Sequence, residues 1–331
     1  MKKAQIKTKA VTNKKEVFAM QKEQLLNERW YEAYEDEAND FTAFLSSYLG
    51  VAGYLDRIGD TPLTAAEVAA GVRKSTAEIF GRGLSGLEPP AGLTPMQLAY
   101  IIINRHDVAL VPPEHMPYPC APRSCCYIFI YQTDGPDKGT YKTRLEDVIL
   151  QYEPCCPDHK MAKVASRVHD LAERAQLCAS EDLVPVNNGI FNCRTKELMP
   201  FSAKHIFIGK SPLDYVPDAV NPVIHNTDDG TDWDAESWLS GLSDDPETMD
   251  CLWELLDTAL RPNKWFALQN PLYSCIFNLA DCNSKSDFAT FAQLVTGLSG
   301  WTGMGECHAN GYLERKDVLE YILWRVLNRD S

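Results

Sequence analysis

LVPVNNGIFNCRTKELMPF, residues 183–201, is the stretch whose pattern decides the fold class. A short apolar run leads into Asn187-Asn188-Gly189, three residues that tolerate positive φ and so predict a tight reversal. Ile190 and Phe191 continue as a strand, Arg194-Thr195-Lys196-Glu197 turns, and Leu198-Met199-Pro200-Phe201 returns. The alternation predicts a small β-meander whose polar tips are open to contacts.

Upstream, Tyr127-Ile128-Phe129-Ile130-Tyr131 predicts a strand, followed by a turn over 134–139 and a second short strand at Thr140-Tyr141. Residues 145–178 have a helical pattern broken near Pro154 and Pro157. Two helix starts precede them. Thr64 with Glu67 fits a capping box, and so does Thr94 with Gln97, with Pro95 at the first helical position. Gly81, Gly83, Gly86, Pro89, Pro90 and Gly92 predict a loop between those helices. The proline-rich stretch 111–123 reads as a linker or an irregular crossing. The chain starts with a basic segment and turns acidic over 32–40, a charged and helical pattern.

Downstream, residues 211–260 contain thirteen acids and no Lys or Arg, which is nearly the whole net charge of −14. Such a segment repels phosphate backbones and is a poor DNA-facing surface. Asp245-Pro246-Glu247 opens a helix whose apolar face carries Met249, Leu252, Trp253, Leu256 and Leu260. Trp233, Trp238 and Trp253 fit a packed core better than a base-stacking platform.

With 331 residues, 45% hydrophobic and 24% charged, the chain has globular composition and the length for two or three domains. No apolar run approaches the ~18–20 residues of a membrane span, and the N-terminus lacks the apolar core of a secretory signal. A cytoplasmic protein without membrane contact is expected. The 11 cysteines favour reduced thiols over a disulfide framework. Cys120, Cys125, Cys126, Cys155, Cys156 and His159 invite a zinc hypothesis, but adjacent Cys pairs do not match the usual short ligand spacing. The seven histidines are scattered, and no HExxH or GxSxG signature occurs, so no residue is assigned a catalytic role.

An ordered series carries a family resemblance. VNNGIFNCRTKELMPF, Lys210-Ser211-Pro212, Tyr215-Val216-Pro217, WDAESWLSGLSDDPE and the Leu/Trp helix ending at Arg261-Pro262 follow one another. Together they resemble the accessory domain that precedes the helicase core in phage- and plasmid-type DNA primase-helicases of superfamily 3. The upstream strand and Asp137-Lys138-Gly139-Thr140-Tyr141 resemble the start of the same region. The resemblance covers roughly residues 95–300 and is strongest over 183–262.

The next element in that family is a strand running into a phosphate-binding loop, where backbone amides surround the phosphates, a Lys reaches the outer oxygens and a Ser or Thr holds Mg²⁺. The matching stretch here is 275–288. The resemblance places Lys285 on the phosphate lysine and Ser286 on the magnesium hydroxyl, with Asn283 and Ser284 completing a nucleotide-binding loop for ATP and Mg²⁺. The two glycine positions hold Leu279 and Ser284, side chains where the loop needs close backbone approach. No later strand ends in the acid that would position magnesium and water. The pattern of residues 317–327 is instead an amphipathic helix, with Leu319, Ile322, Leu323 and Val326 on one face. It looks like a helix from well beyond the motor, as if an internal deletion had joined the two.

These readings predict an α+β fold: a helical N-terminal part, a small mixed sheet in the middle, a helical acidic subdomain, and an incomplete P-loop α/β unit whose apolar faces are partly uncovered. The expected domains are a helical region at 1–94, an accessory domain at 95–262, a degenerate helicase start at 263–300 and a C-terminal helix at 301–331. The resemblance implies a phage or plasmid DNA replication protein with an impaired motor, acting on single-stranded or replication-fork DNA and related to proteins that assemble as homo-oligomers. The alternative is a non-catalytic interaction or adaptor module, or a decaying remnant of a replication protein.

Overall fold

The computed structural model describes residues 41–83, 88–113, 123–227, 229–261, 294–295, 298 and 315–329. The fold is α+β, with helices and three small sheets, and the described residues divide into two compact units. One unit draws on Met1–His106 and Leu145–Ala172, the other on Asp107–Arg144 and Glu173–Ser331. No helix among the described residues is long and apolar enough to cross a membrane.

The first unit is helical: α1 (Phe41–Ile58), α2 (Ala65–Gly83), α3 (Pro95–Arg105), α4 (Leu145–Tyr152) and α5 (Asp158–Leu171). Both predicted capping boxes form. The Thr64 amide donates to Glu67 Oε2 at 2.8 Å and the Glu67 amide to Thr64 Oγ1 at 3.3 Å. The Thr94 amide donates to Gln97 Oε1 at 3.0 Å and the Gln97 amide to Thr94 Oγ1 at 3.2 Å. Gln97 does more than cap. Its buried amide also donates to Ser47 O of α1 (2.9 Å) and Thr76 Oγ1 of α2 (2.8 Å), so one side chain ties three helices. Leu98, Ile101 and Ile102 of α3 and Val164 and Val168 of α5 are fully buried.

The predicted loop begins later than its glycines suggest, since α2 continues through Gly81 and Gly83. Phe80 is buried at the end of this helix, and such packing outweighs the ~1 kcal/mol propensity cost of a helical glycine. The predicted break between helices holds, with α4 ending at Tyr152 and Pro157 standing as the N-cap of α5.

The second unit starts with β1 (Val108–Val111), β2 (Tyr127–Tyr131), β3 (Tyr141–Lys142) and β4 (Glu173–Arg174), in the order β3-β2-β1-β4. β1 pairs antiparallel with β2 and parallel with β4, so the sheet is mixed. The helical pattern expected through residue 178 therefore ends at Leu171. Ala172 leaves the helix in an extended conformation, and the free edge of β1 takes up Glu173–Arg174.

The meander forms as β5 (Leu183–Val186), β6 (Gly189–Asn192) and β7 (Glu197–Met199), all antiparallel. Its first turn differs from the expectation: positive φ occurs at Lys196 (56°) in the second turn, and not at Asn187, Asn188 or Gly189. Gly189 is required for a different reason. A Cβ there would stand 2.5 Å from the Met199 carbonyl oxygen across the β6–β7 pair. The hairpin β8 (Val223–His225) and β9 (Asp232–Asp234) leads into α6 (Ala235–Ser240) and α7 (Pro246–Ala259). Asp234 and Asp245 cap these two helices through the amides of Ser237 (2.9 Å) and Thr248 (3.0 Å).

The helix α8 (Lys316–Leu327) corrects the expectation of uncovered apolar faces. Val318, Ile322, Leu323, Val326 and Leu327 are buried in one core with Val184, Val186 and Phe191 of the meander, Leu239 of α6 and Leu252, Leu255 and Leu256 of α7. Leu294, Val295 and Leu298 are buried in the same core. The helix needs no sheet of its own because the meander and α7 already present an apolar face to cover.

Candidate functional site

The predicted nucleotide loop, with Asn283, Ser284, Lys285 and Ser286, lies outside the described residues, as do Leu279 and the rest of 275–288. What the structure places together is the other part of the series, the residues quoted at the meander tip, at 137–141 and at 210–217.

Asn187 and Asn188 form the β5–β6 turn, and both side chains reach the segment that follows Lys210. Asn187 Nδ2 donates to Asp214 Oδ1 at 2.8 Å. Asn188 makes a two-way bond with Tyr215, donating to its carbonyl oxygen at 3.0 Å and accepting from its amide at 2.9 Å. The Tyr215 ring meets that of Phe191 at a tilt of 34° with centres 4.3 Å apart, and the Asn187 amide donates to Leu213 O. An Asn side chain thus supplies what a further strand would supply, an acceptor and a donor at peptide spacing.

Lys210 joins this turn to the four-stranded sheet. Its Nζ donates to Lys138 O at 3.0 Å and to Asn187 O at 3.4 Å, and it stands 5.1 Å from the centre of the Phe201 ring. Gly139, at φ +87°, lies against the same ring, where a Cβ would come within 2.1 Å. Burial pushes the Lys210 ammonium pKa down, against the opposing pull of Asp137 and Asp214. The hydrogen bond from Asn187, followed by that from Lys316, holds the Asp214 carboxyl below the usual carboxylate range. Around the junction, Asp137 pairs with Lys142 (3.3 Å) and Arg144 (2.7 Å). Every one of these polar groups has a protein partner, as a structural framework requires.

Three of the thirteen acids of 211–260 are met by cations from α8 and its flank. Lys316 pairs with Asp214 (3.0 Å), Arg325 with Glu236 (3.2 Å) and Arg329 with Asp250 (2.5 Å), while Tyr321 donates to Glu236 at 2.8 Å. Arg325 and Arg329 also stand 5.5 and 5.4 Å from the centre of the Trp253 ring. Trp233, Trp238 and Trp253 are partly buried against the core, as their spacing predicts.

In the first unit an open cleft of about 280 Å³ separates the start of α3 from the start of α5. Leu93 and Pro95 form part of one wall, and His159, Lys160 and Lys163 line the other. Neither lysine belongs to a recognisable motif. The available signal was local: His159 and Lys160 occupy the first turn of a helix, where acidic side chains are favoured.

Among the described residues, no group of three or more His, Cys, Asp or Glu side chains is arranged to hold a metal ion. Cys125 and Cys155 are exposed, and Cys126 and Cys156 are buried. Burial pushes the thiols of Cys156 and Cys193 up, the opposite of nucleophile activation. No protein-family model matches the chain, and no curated protein is significantly similar to it.

Proposed function

We propose that this chain is a phage- or plasmid-type DNA replication protein resembling the accessory region of superfamily 3 primase-helicases, with an impaired motor. One observation supports the reading. The separate sequence blocks that carry the resemblance, Asn187-Asn188, Lys210, Asp214-Tyr215 and Asp137 to Tyr141, meet in a single bonded junction. The blocks thus have a shared structural reason to occur in this order.

On this reading the protein works in the cytoplasm on single-stranded or fork DNA, and its intact relatives act as homo-oligomers. ATP and Mg²⁺ would be held by Asn283, Ser284, Lys285 and Ser286, with Ser286 on the metal. Leu279 and Ser284, standing where close backbone approach calls for glycine, are why the motor is read as impaired. A second reading is favoured by α8. Its cations are committed to the acids of 211–260, which suits a self-contained adaptor module.

The test combines two measurements. Fluorescence anisotropy with oligothymidylate should show salt-sensitive binding, while ATP hydrolysis should stay at background with and without the strand. Absence of DNA binding at low salt removes the replication reading in favour of the adaptor. DNA-stimulated hydrolysis that is lost in Lys285→Ala removes the impaired motor.

A further inference from the structure

The cleft of the first unit combines three observations. It is lined by Lys160 and Lys163, one turn apart on α5, with His159 beside them, and one carboxylate stands at its wall, that of Glu153, which lies next to Gly92 and pairs with Lys160. Lys160 is held in place by Glu153 at 2.6 Å, half-buried, whereas Lys163 forms no ion pair among the described residues. His159 and Lys160 share the first turn of α5 with Asp158, the one residue there of the charge that a helix start favours. α5 has no side-chain cap and begins with Asp158, His159 and Lys160, and α3 begins on the opposite wall with no acid in its first turn. Lys160 is matched by Glu153, so the ammonium of Lys163 and the positive ends of two helices are what favour an anion at this opening.

The remaining wall is apolar, made by Pro90, Leu93 and Pro95. A volume of about 280 Å³ lies at the small end of ligand pockets, with room for one sugar, base and phosphate. We propose that the cleft binds one nucleotide unit, its phosphate on Lys160 and Lys163 and its sugar and base against the proline wall. This rests on the cleft alone and not on the replication reading. The unit is either a free nucleoside monophosphate or one residue of a single strand.

Calorimetry on the full chain in magnesium-free, low-salt buffer tests the proposal, with thymidine 5′-monophosphate, thymidine and oligothymidylate as probes. The monophosphate should bind and thymidine should bind at least about tenfold more weakly, as loss of a charge-assisted contact implies. Lys163→Gln should weaken the monophosphate about tenfold without changing the melting temperature, because Lys163 carries no ion pair among the described residues, and Lys163→Arg should restore binding. Lys285→Ala should leave this binding unchanged. Oligothymidylate that also weakens in Lys163→Gln assigns the site to a strand, and a Lys163-dependent monophosphate alone assigns it to a free nucleotide. Equal affinity of the wild type and Lys163→Gln for the monophosphate would overturn the proposal. So would equal binding of thymidine, or binding that disappears in Lys285→Ala instead.

Discussion

The Asn188 side chain and the Tyr215 backbone exchange a donor and an acceptor, at 3.0 and 2.9 Å, across 27 residues of chain. This couples the meander turn to the segment that carries Asp214 and, through it, to α8. Asn188→Ala removes both bonds and should lower stability by about 1–2 kcal/mol. Asn188→Asp keeps the acceptor but sets a carboxylate against the Tyr215 carbonyl, so it should not rescue the loss. Urea denaturation of the three proteins checks the order.

Gly189→Ala should be worse. Its Cβ would meet a backbone carbonyl at 2.5 Å, and backbone cannot rotate away as a side chain can. A loss of about 2–3 kcal/mol is expected, as for overpacked positions. A thermal melt reads it directly, and an unchanged melting temperature would mean that β7 is not held against β6 as described.

Much of the fold is legible in the sequence because its signals are local. The Thr64 and Thr94 caps, the Asp245 cap, the meander and the apolar stripe of α8 all depend on residues within a few positions of one another. The parts that were missed depend on distant chain. Glu173–Arg174 has no strand signature and is ordered by the edge of β1. Lys210 gives no hint in sequence that its ammonium binds carbonyls at 138 and 187. The covering of α8 follows from a face assembled by three other segments. At Gly189 the residue type was informative but suggested the wrong cause, φ in place of proximity.

Gln97 links α1, α2 and α3 from a fully buried position. Gln97→Leu leaves the Ser47 carbonyl without this donor and removes the cap's reciprocal bond. The expected cost is about 2–3 kcal/mol in the first unit. Hydrogen exchange should show faster opening of α3, and unchanged protection would contradict the three-helix tie.

The Asp214 pairing predicts an acid limb. Its folded pKa lies below the unfolded value, so its contribution is fully present above the unfolded pKa, about 4. It is lost as pH falls through the folded pKa. Asp214→Asn should flatten stability against pH in that acid range and leave the slope near neutrality unchanged.

An alkaline limb follows from two tyrosines. Burial pushes both Tyr141 and Tyr321 up to about 12, with the Asp107 charge adding at Tyr141 and the hydrogen bond to Glu236 at Tyr321. A raised tyrosine pKa contributes stability that is complete below about pH 10, the unfolded value, and lost as pH climbs toward 12. Tyr321→Phe should shift unfolding to higher pH relative to its own neutral stability, as followed by near-ultraviolet absorbance.

Neither unit is one continuous stretch of chain: the path leaves the helical unit after His106, returns at Leu145 and leaves again after Ala172. When α3 and α4 dock, they bring the two ends of the excursion 107–144 together, and β1, β2 and β3 then form inside a loop already closed. Closing such a loop costs entropy that grows with its length, so each unit's folding lowers the entropic barrier of the other. Excising either unit as a simple fragment would remove that mutual assistance, and a permuted chain would preserve it.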